Sequence, residues 1–142
     1  MIDYEEFLVP VQIAKELKEI GFNEPCLFVL NPHNTLILSS EVHDKGIIDI
    51  RKIKPCNNGK LGEDFCSVPT YEQVFAWFRK KGLFHSIILT KDFIENDIFF
   101  SCEIRNANTN IITMFSSNTY EEAKIELLKR LIEIYRNEKT NI

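Results

Sequence analysis

The sequence predicts an α+β protein in which helices cover one face of a mainly antiparallel sheet. Three observations lead to this prediction: apolar residues recur at helical spacing in three segments, they alternate with polar residues in strand-like segments, and short turns join those strands. Short turns require antiparallel pairing, and helices on one face of such a sheet give two layers. The second half is predicted to follow the order helix, strand, strand, strand, helix.

Length and composition favour a single domain over residues 1–142. Hydrophobic residues make up 44% of the chain and charged residues 27%, as in an ordinary soluble protein with one core. No apolar run reaches the roughly 18 residues that a membrane helix needs. The acidic N-terminus lacks the basic region of a secretory signal. We therefore expect a cytoplasmic protein that does not associate with a membrane.

The first half is predicted to begin with an amphipathic helix over residues 10–20, which Gly21 ends. Residues 26–30 and 35–38 flank an Asn-Pro-His-Asn turn, which indicates a hairpin. Residues 39–67 are predicted to be a long irregular segment, with residues 46–53 as a candidate strand. Long loops often carry function, so an individual function of this chain would be sought there.

The second half is predicted to contain a helix over residues 71–81, three strands and a final helix from Tyr120 to about Arg136, with 137–142 as a frayed tail. In the middle strand, one face is predicted to be apolar: Ile98, Phe100, Cys102 and Ile104. The final helix is predicted to bury one stripe: Ala123, Leu127, Leu131 and Ile134, widened by Leu128 and Tyr135. Trp77 and Phe78 are predicted to pack in the core rather than to form an exposed aromatic patch.

A tetrapeptide that begins Thr-Tyr-Glu occurs twice, at residues 70–73 and 119–122. In each copy a threonine precedes a glutamine or glutamate by three residues, which is the pattern of a capping box at the start of a helix. A paired functional site is the alternative, and its members would be Tyr71, Glu72, Tyr120 and Glu121. Capping explains both copies without such a site.

The residues that could carry catalysis or bind a metal lack the spacing that this chemistry needs. The four cysteines are predicted to be free thiols: Cys26, Cys56, Cys66 and Cys102. A metal site that joined Cys56 and Cys66 to His43 would have no support from ligand spacing. No motif activates Cys66 or His85, and glycine-rich phosphate loops are missing. The sequence therefore predicts no catalytic residue, no metal ligand and no cofactor, and leaves the binding residues unknown.

The order of elements in the second half resembles that of the double-stranded RNA-binding domain. In that family a cluster of lysines at the start of the last helix binds phosphates, whereas this chain has Glu121 and Glu122 there, which would repel them. The basic stretch at Arg51, Lys52 and Lys54 is interpreted as a solvated loop. The net charge of the chain is −4, which also disfavours binding to phosphates. Nucleic-acid binding by the αβββα half is therefore only the second hypothesis for function.

Three motifs carry a further resemblance: Leu-Lys-x-x-Gly-Phe-x-Glu-Pro-Cys at 17–26, Pro-Thr-Tyr-x-Gln-Val-x-x-Trp-x-Arg at 69–79, and Thr-Tyr-x-x-Ala at 119–123. They resemble small phage- and prophage-encoded proteins of gut-type bacteria, a family without an established activity. Residues 39–64 lie outside the resemblance. It implies a cytoplasmic product of a phage or prophage. Because the chain has the residues for a well-formed core but no catalytic constellation, we expect this product to be a non-enzymatic binding or accessory protein. A protein partner and self-association both stay open.

Overall fold

The computed structural model describes residues 6–39 and 54–140, and within them it has the predicted α+β fold. The chain divides into two compact units, Met1–Gln73 and Val74–Ile142. Each unit has its own three-stranded antiparallel sheet, whereas the sequence was interpreted in terms of one sheet. The prediction of a single domain over residues 1–142 stays a prediction.

In the first unit, helix α1 (Val11–Glu19) packs against a sheet of strands β1 (Phe28–Leu30), β2 (Leu36–Leu38) and β3 (Cys66–Val68). The strand order is β2-β1-β3, and both pairings are antiparallel. The predicted helix and hairpin are therefore confirmed. Strand β3 lies at the end of the segment that was predicted to be irregular, whereas residues 46–53 lie outside the described residues.

Helix α1 ends as the sequence predicts. Gly21 has a φ of 96°, a left-handed conformation that glycine adopts without steric cost. The Gly21 N–H donates to the Lys18 carbonyl at 3.1 Å and the Phe22 N–H donates to the Leu17 carbonyl at 2.9 Å. These two bonds form a Schellman motif, and Phe22 is carried back into the core, where it is 1% exposed.

Side chains of helix α1 and the loop after Cys56 order the approach to strand β3. The Lys18 ammonium donates to the carbonyls of Glu63 and Phe65, at 2.6 Å each. Asn58 donates to the Phe22 carbonyl and accepts from the Ser67 N–H, at 2.8 Å each. The loop is thus attached both to the helix and to the strand, which explains why a short polar sequence ends in a paired strand.

Helix α2 (Tyr71–Lys80) begins in the first unit and continues into the second. The second unit continues with strands β4 (Leu83–Asp92), β5 (Asp97–Asn106) and β6 (Ile112–Ser117), followed by helix α3 (Tyr120–Thr140). This is the predicted order. The sheet order is β4-β5-β6, and α3 packs across one face of all three strands.

The core of the second unit lies between α3, α2 and the sheet. Trp77 is 6% exposed and Phe78 is fully buried, and the Trp77 ring lies 5.1 Å from that of Tyr135. The prediction that both α2 aromatics are core residues is confirmed. The His85 ring on β4 stacks on the Phe75 ring of α2, with ring centres 3.9 Å apart.

Three details of the second unit differ from the sequence prediction. Helix α3 continues to Thr140 instead of fraying after Arg136, and its buried stripe includes Ile132 while Ile134 is only half-buried. In β5, Ile98 is 59% exposed although Cys102 and Ile104 are buried, because β6 pairs with β5 only over Phe100–Arg105.

Both predicted helix starts are capped. The Gln73 N–H donates to the Thr70 hydroxyl at 3.2 Å, and the Thr70 N–H donates to the Gln73 side-chain oxygen at 3.0 Å, which completes the capping box. At α3, the Glu122 N–H donates to the Thr119 hydroxyl at 3.1 Å. The capping interpretation of the repeated tetrapeptide is confirmed.

We expect Thr70→Ala to lower the free energy of unfolding by about 1 kcal/mol, because it removes the hydroxyl that caps α2. Chemical denaturation with circular dichroism would measure this loss. Thr70→Ser is the matched control, since it keeps the hydroxyl, and it should lose less than half as much stability. Equal losses in the two variants would show that the methyl group, rather than the cap, stabilises the helix.

Candidate functional site

A surface depression lies between β6 and α3, and we call it the β6–α3 groove. Its volume is about 430 Å³. Its walls consist of nine residues: Phe115, Ser116, Ser117, Asn118, Glu122, Ile125, Glu126, Lys129 and Arg130. All nine belong to the second unit. The groove follows the free edge of the sheet, and this position decides what it can bind.

The helix wall arises from the periodicity of α3. Its groove residues lie at spacings of three and four, which place them on a single stripe of the helix. The buried stripe beside it holds the helix on the sheet, with Ala123 and Leu127 fully buried. The groove stripe begins with the acid Glu122 and ends with the bases Lys129 and Arg130, which are about 10 Å along the helix from Glu122.

Arg130 connects the two walls of the groove. Its guanidinium carbon lies 4.2 Å from the centre of the Phe115 ring on β6. Its Nε donates to the Glu126 carboxylate at 3.0 Å, a pair at a spacing of four residues. A cation over a ring face and an ion pair within a helix each contribute only a modest stabilising free energy when they are exposed. Together they hold the guanidinium between β6 and α3, at the lining of the groove.

The backbone of β6 has donors and acceptors directed away from the sheet. The Asn106 N–H donates to the Ile111 carbonyl at 2.9 Å, so odd-numbered residues of β6 bond to β5. In an antiparallel pair, alternate residues direct their N–H and C=O to opposite sides. Ile112, Met114 and Ser116 therefore present these groups at the outer edge, where no other strand of the described chain pairs with β6.

The two faces of β6 differ in chemistry. The side chains of Thr113, Phe115 and Ser117 lie on the α3 side, in register with Ile104, Cys102 and Phe100 of β5. The side chains of Ile112 and Met114 lie on the opposite face and are 50% and 66% exposed. A strand added to this edge would therefore meet polar and charged groups on one side and apolar groups on the other.

The four cysteines are free, as predicted, and all four are buried. Cys26 and Cys56 form an isolated antiparallel bridge in the first unit, with both N–H to carbonyl distances at 3.0 Å. Burial raises the pKa of the Cys26 thiol to about 12 and also raises the pKa of Cys66 and Cys102. Because the thiolate is the reactive form, these side chains act as small apolar groups.

Other candidates from the sequence are not brought together. In residues 6–39 and 54–140, no group of three or more histidine, cysteine or acidic side chains is placed to hold a metal ion. His43, Arg51 and Lys52 lie outside those residues. The described helices also include none with the length and apolar character that crossing a bilayer requires.

Sequence reasoning missed the β6–α3 groove. The only local signal was the pair Glu126 and Arg130, four residues apart on a predicted helix. That spacing could not show that the pair faces a sheet edge. Comparisons of the chain with protein-family models, curated proteins and solved structures find no match. Function must therefore be argued from the geometry itself.

We expect Cys26→Ala to reduce the loss of stability at alkaline pH. Burial raises the pKa of Cys26 to about 12 from 9.0, so between these values the folded chain keeps a proton that the unfolded chain has lost. Stability therefore falls as pH rises through this window, by at most about 1.4 kcal/mol per pH unit.

Urea unfolding of both proteins at neutral pH and at about pH 10.5, above the ordinary thiol pKa, would measure this effect. The variant should be less stable at neutral pH, because truncation leaves a small cavity, but its stability should fall less on raising the pH. An equal fall in both proteins would contradict the assignment.

Proposed function

We propose that this chain is a non-enzymatic protein-binding module that accepts an extended peptide segment along the free edge of β6. One observation carries the proposal: the unpaired edge of β6 borders a groove whose other wall is a helix. In this arrangement a bound peptide gains main-chain hydrogen bonds from the edge and side-chain specificity from the flanking surfaces. This proposal agrees with the expectation of a binding or accessory protein, and it assigns the binding site to the free edge of β6.

The main-chain part of the interaction follows from the alternation in β6. Outward N–H and C=O groups on Met114 and Ser116 can form paired hydrogen bonds with an antiparallel peptide. Each such bond contributes about 1 kcal/mol after exchange with water. Main-chain bonds alone would bind many sequences weakly, so selectivity must come from the side chains beside the edge.

The charged residues of the groove determine where along a bound peptide basic and acidic residues would be favourable. Glu122 lies near the C-terminal end of β6, with Ser117 and Asn118, whereas Lys129 and Arg130 lie further along α3. An antiparallel peptide therefore starts near Glu122 and ends near the two bases. A basic residue near its N-terminal end and an acidic residue near its C-terminal end would complement the groove.

The opposite face selects for apolar residues. Side chains of a bound strand alternate between the two faces. Those that point away from the groove would cover Ile112 and Met114, which are at least half exposed. The expected ligand is thus an extended segment with alternating apolar and polar residues, a lysine or arginine early, and a glutamate or aspartate late.

Nucleic acid is the less favoured ligand. The first turn of α3 carries Glu121 and Glu122, and the Arg130 guanidinium already pairs with Glu126. A phosphate chain would meet carboxylates at both positions, which costs affinity. The comparison with a double-stranded RNA-binding domain therefore extends to the order of elements and supports no RNA-binding proposal.

We expect Met114→Pro to weaken binding of a synthetic peptide with the pattern Lys-Val-Ser-Val-Ser-Val-Glu by about tenfold or more, because it removes an edge donor and obstructs the approaching strand. The substituted N–H points away from β5, so the sheet keeps its bonds. Fluorescence anisotropy with a labelled peptide measures the change.

Met114→Thr is the matched control, because it keeps the N–H and favours a strand. It should retain affinity within about threefold of the wild type, since only contact area changes. A peptide with its two charged residues exchanged tests the groove and should bind more weakly. If the wild type binds neither peptide, or if Met114→Pro binds as well as Met114→Thr, the proposed edge site is wrong.

We expect no electrophoretic shift of duplex RNA or duplex DNA by the protein at low salt. Counterion release makes phosphate-driven binding strongest under that condition, so low salt is the sensitive test. Repeating the measurement at higher salt distinguishes electrostatic binding from aggregation. A shift at low salt that higher salt abolishes would revive the nucleic-acid hypothesis and count against the peptide proposal.

A further inference from the structure

A second surface feature lies at the other side of the same sheet. Strands β4 and β5 pair along their whole length, to Asp92 opposite Asp97, whereas β6 reaches only as far as Phe100. Residues 90–99 therefore extend past β6 as a two-stranded ribbon. Ile88 and Leu89 lie level with the end of β6 at the base of this ribbon, and we call residues 88–99 together the hairpin arm. A two-stranded hairpin by itself is at best marginally stable in water, so the arm depends on contacts beyond its own pairing.

The hairpin arm exposes more apolar surface than a lone ribbon should. Five of its six large apolar side chains are between 59% and 96% exposed: Ile88, Leu89, Phe93, Ile94 and Ile98. Together they present on the order of 700 Å² per chain, against roughly 800 Å² per partner in a standard protein interface. Leu89 and Ile98 lie on the α3 side of the sheet and Ile88 lies on the opposite side, so the arm exposes apolar side chains on both faces. An exposed apolar area of this size is typical of an interaction site.

The backbone of β4 also has unused hydrogen-bonding groups. The Ala107 N–H donates to the Gly82 carbonyl at 2.8 Å, so even-numbered residues of β4 bond to β5. Ile87, Leu89 and Lys91 therefore direct their N–H and C=O outward. Within the described residues, β4 is an edge strand with no second neighbour. A ten-residue edge strand of this kind, with an apolar stretch at Ile87, Ile88 and Leu89, is a template for strand pairing.

We propose that this edge pairs with the same edge of a second copy of the chain. A two-fold axis perpendicular to the sheet passes beside Ile88, so that Ile88 of each copy lies opposite Ile88 of the other. Ile87 of each copy then opposes Leu89 of the other in a hydrogen-bonded pair, which gives four main-chain bonds. The interface is isologous, and the two sheets join into one of six strands.

This register is the most self-complementary one. With a two-fold axis of this kind, each residue lies opposite a residue of the other copy whose side chain is on the same face of the sheet. Residues whose N–H and C=O point outward must also lie opposite one another. A shift of the axis to Leu89 puts Lys91 opposite Ile87, and a shift to Ile87 puts Ser86 opposite Ile88. With the axis at Ile88, apolar residues oppose apolar residues, and Ser86 opposes Thr90, a pair that can hydrogen-bond across strands.

Charge and area both favour a second copy over other occupants. The hairpin arm carries Lys91 against Asp92, Glu95 and Asp97, which leaves a net charge of −2. Anionic lipid and nucleic acid would both be repelled. Antiparallel pairing places the two Asp92 residues roughly 26 Å apart along the strands, so the acidic tips do not meet, and each tip reaches the base of the other β4.

Sedimentation equilibrium over a range of concentrations tests the proposal, with the full-length chain expected as a concentration-dependent dimer. Ile88→Lys should raise the dimer dissociation constant about tenfold or more, because two lysines would face each other at the axis. Leu89→Pro should do the same by removing an outward N–H without breaking bonds to β5. Ile112→Lys, the same charge change on the distant edge strand, is the matched control and should leave the dimer intact.

A cross-link gives a positive test of the register. Ile88 and its symmetry mate form a non-hydrogen-bonded pair, whose Cα atoms are about 4.5 Å apart, within disulfide reach. Ile88→Cys should form a covalent dimer on oxidation with diamide, whereas the wild type, with its four buried thiols, should not.

Any one of three outcomes would overturn the proposal. The wild type could stay monomeric at all concentrations, Ile88→Lys and Leu89→Pro could leave the dimer unchanged, or the Ile88→Cys chain could fail to cross-link. Peptide binding at β6 should survive in Leu89→Pro, so this proposal and the peptide proposal can fail separately.

Discussion

The second unit depends on one constraint, the alternation of hydrogen bonds along β5. Each residue of an antiparallel strand sends its N–H and C=O to the same side, and successive residues send them to opposite sides. The even residues of β5, such as Asn106, bond to β6, and the odd ones face β4. The central strand is thereby paired on both sides over Phe100–Arg105, and each outer strand is left with one set of unused groups. The two proposed binding edges follow from this alternation.

The sequence predicted those features that arise from residues close together in the chain. The capping threonines Thr70 and Thr119, the C-terminal Gly21 and the helical stripe that includes Leu127 all act within one or two helical turns. Turn residues between apolar runs likewise predicted the hairpins. These interactions need no knowledge of the rest of the fold, so a local pattern is sufficient evidence for them.

Features that depend on distant partners were not predictable. Strand β3 is three residues long and becomes a strand because Cys66 and Ser67 pair with β1. Ile98 follows the alternation of a buried residue, yet it is exposed because the neighbouring strand ends before reaching it. The β6–α3 groove combines Phe115 with Arg130, whose side chains meet only after the helix folds back on the sheet. No spacing in the chain encodes where a neighbouring strand stops.

Because β5 lies in the middle of its sheet, the two outer edges are separate surfaces on opposite sides of the same unit. A dimer formed through β4 would have one β6 edge at each end of a six-stranded sheet, facing in opposite directions. Such a dimer would be bivalent for any ligand that carries the recognised segment more than once. A weak single contact would then be strengthened by avidity wherever the spacing of the segments matches the width of the sheet.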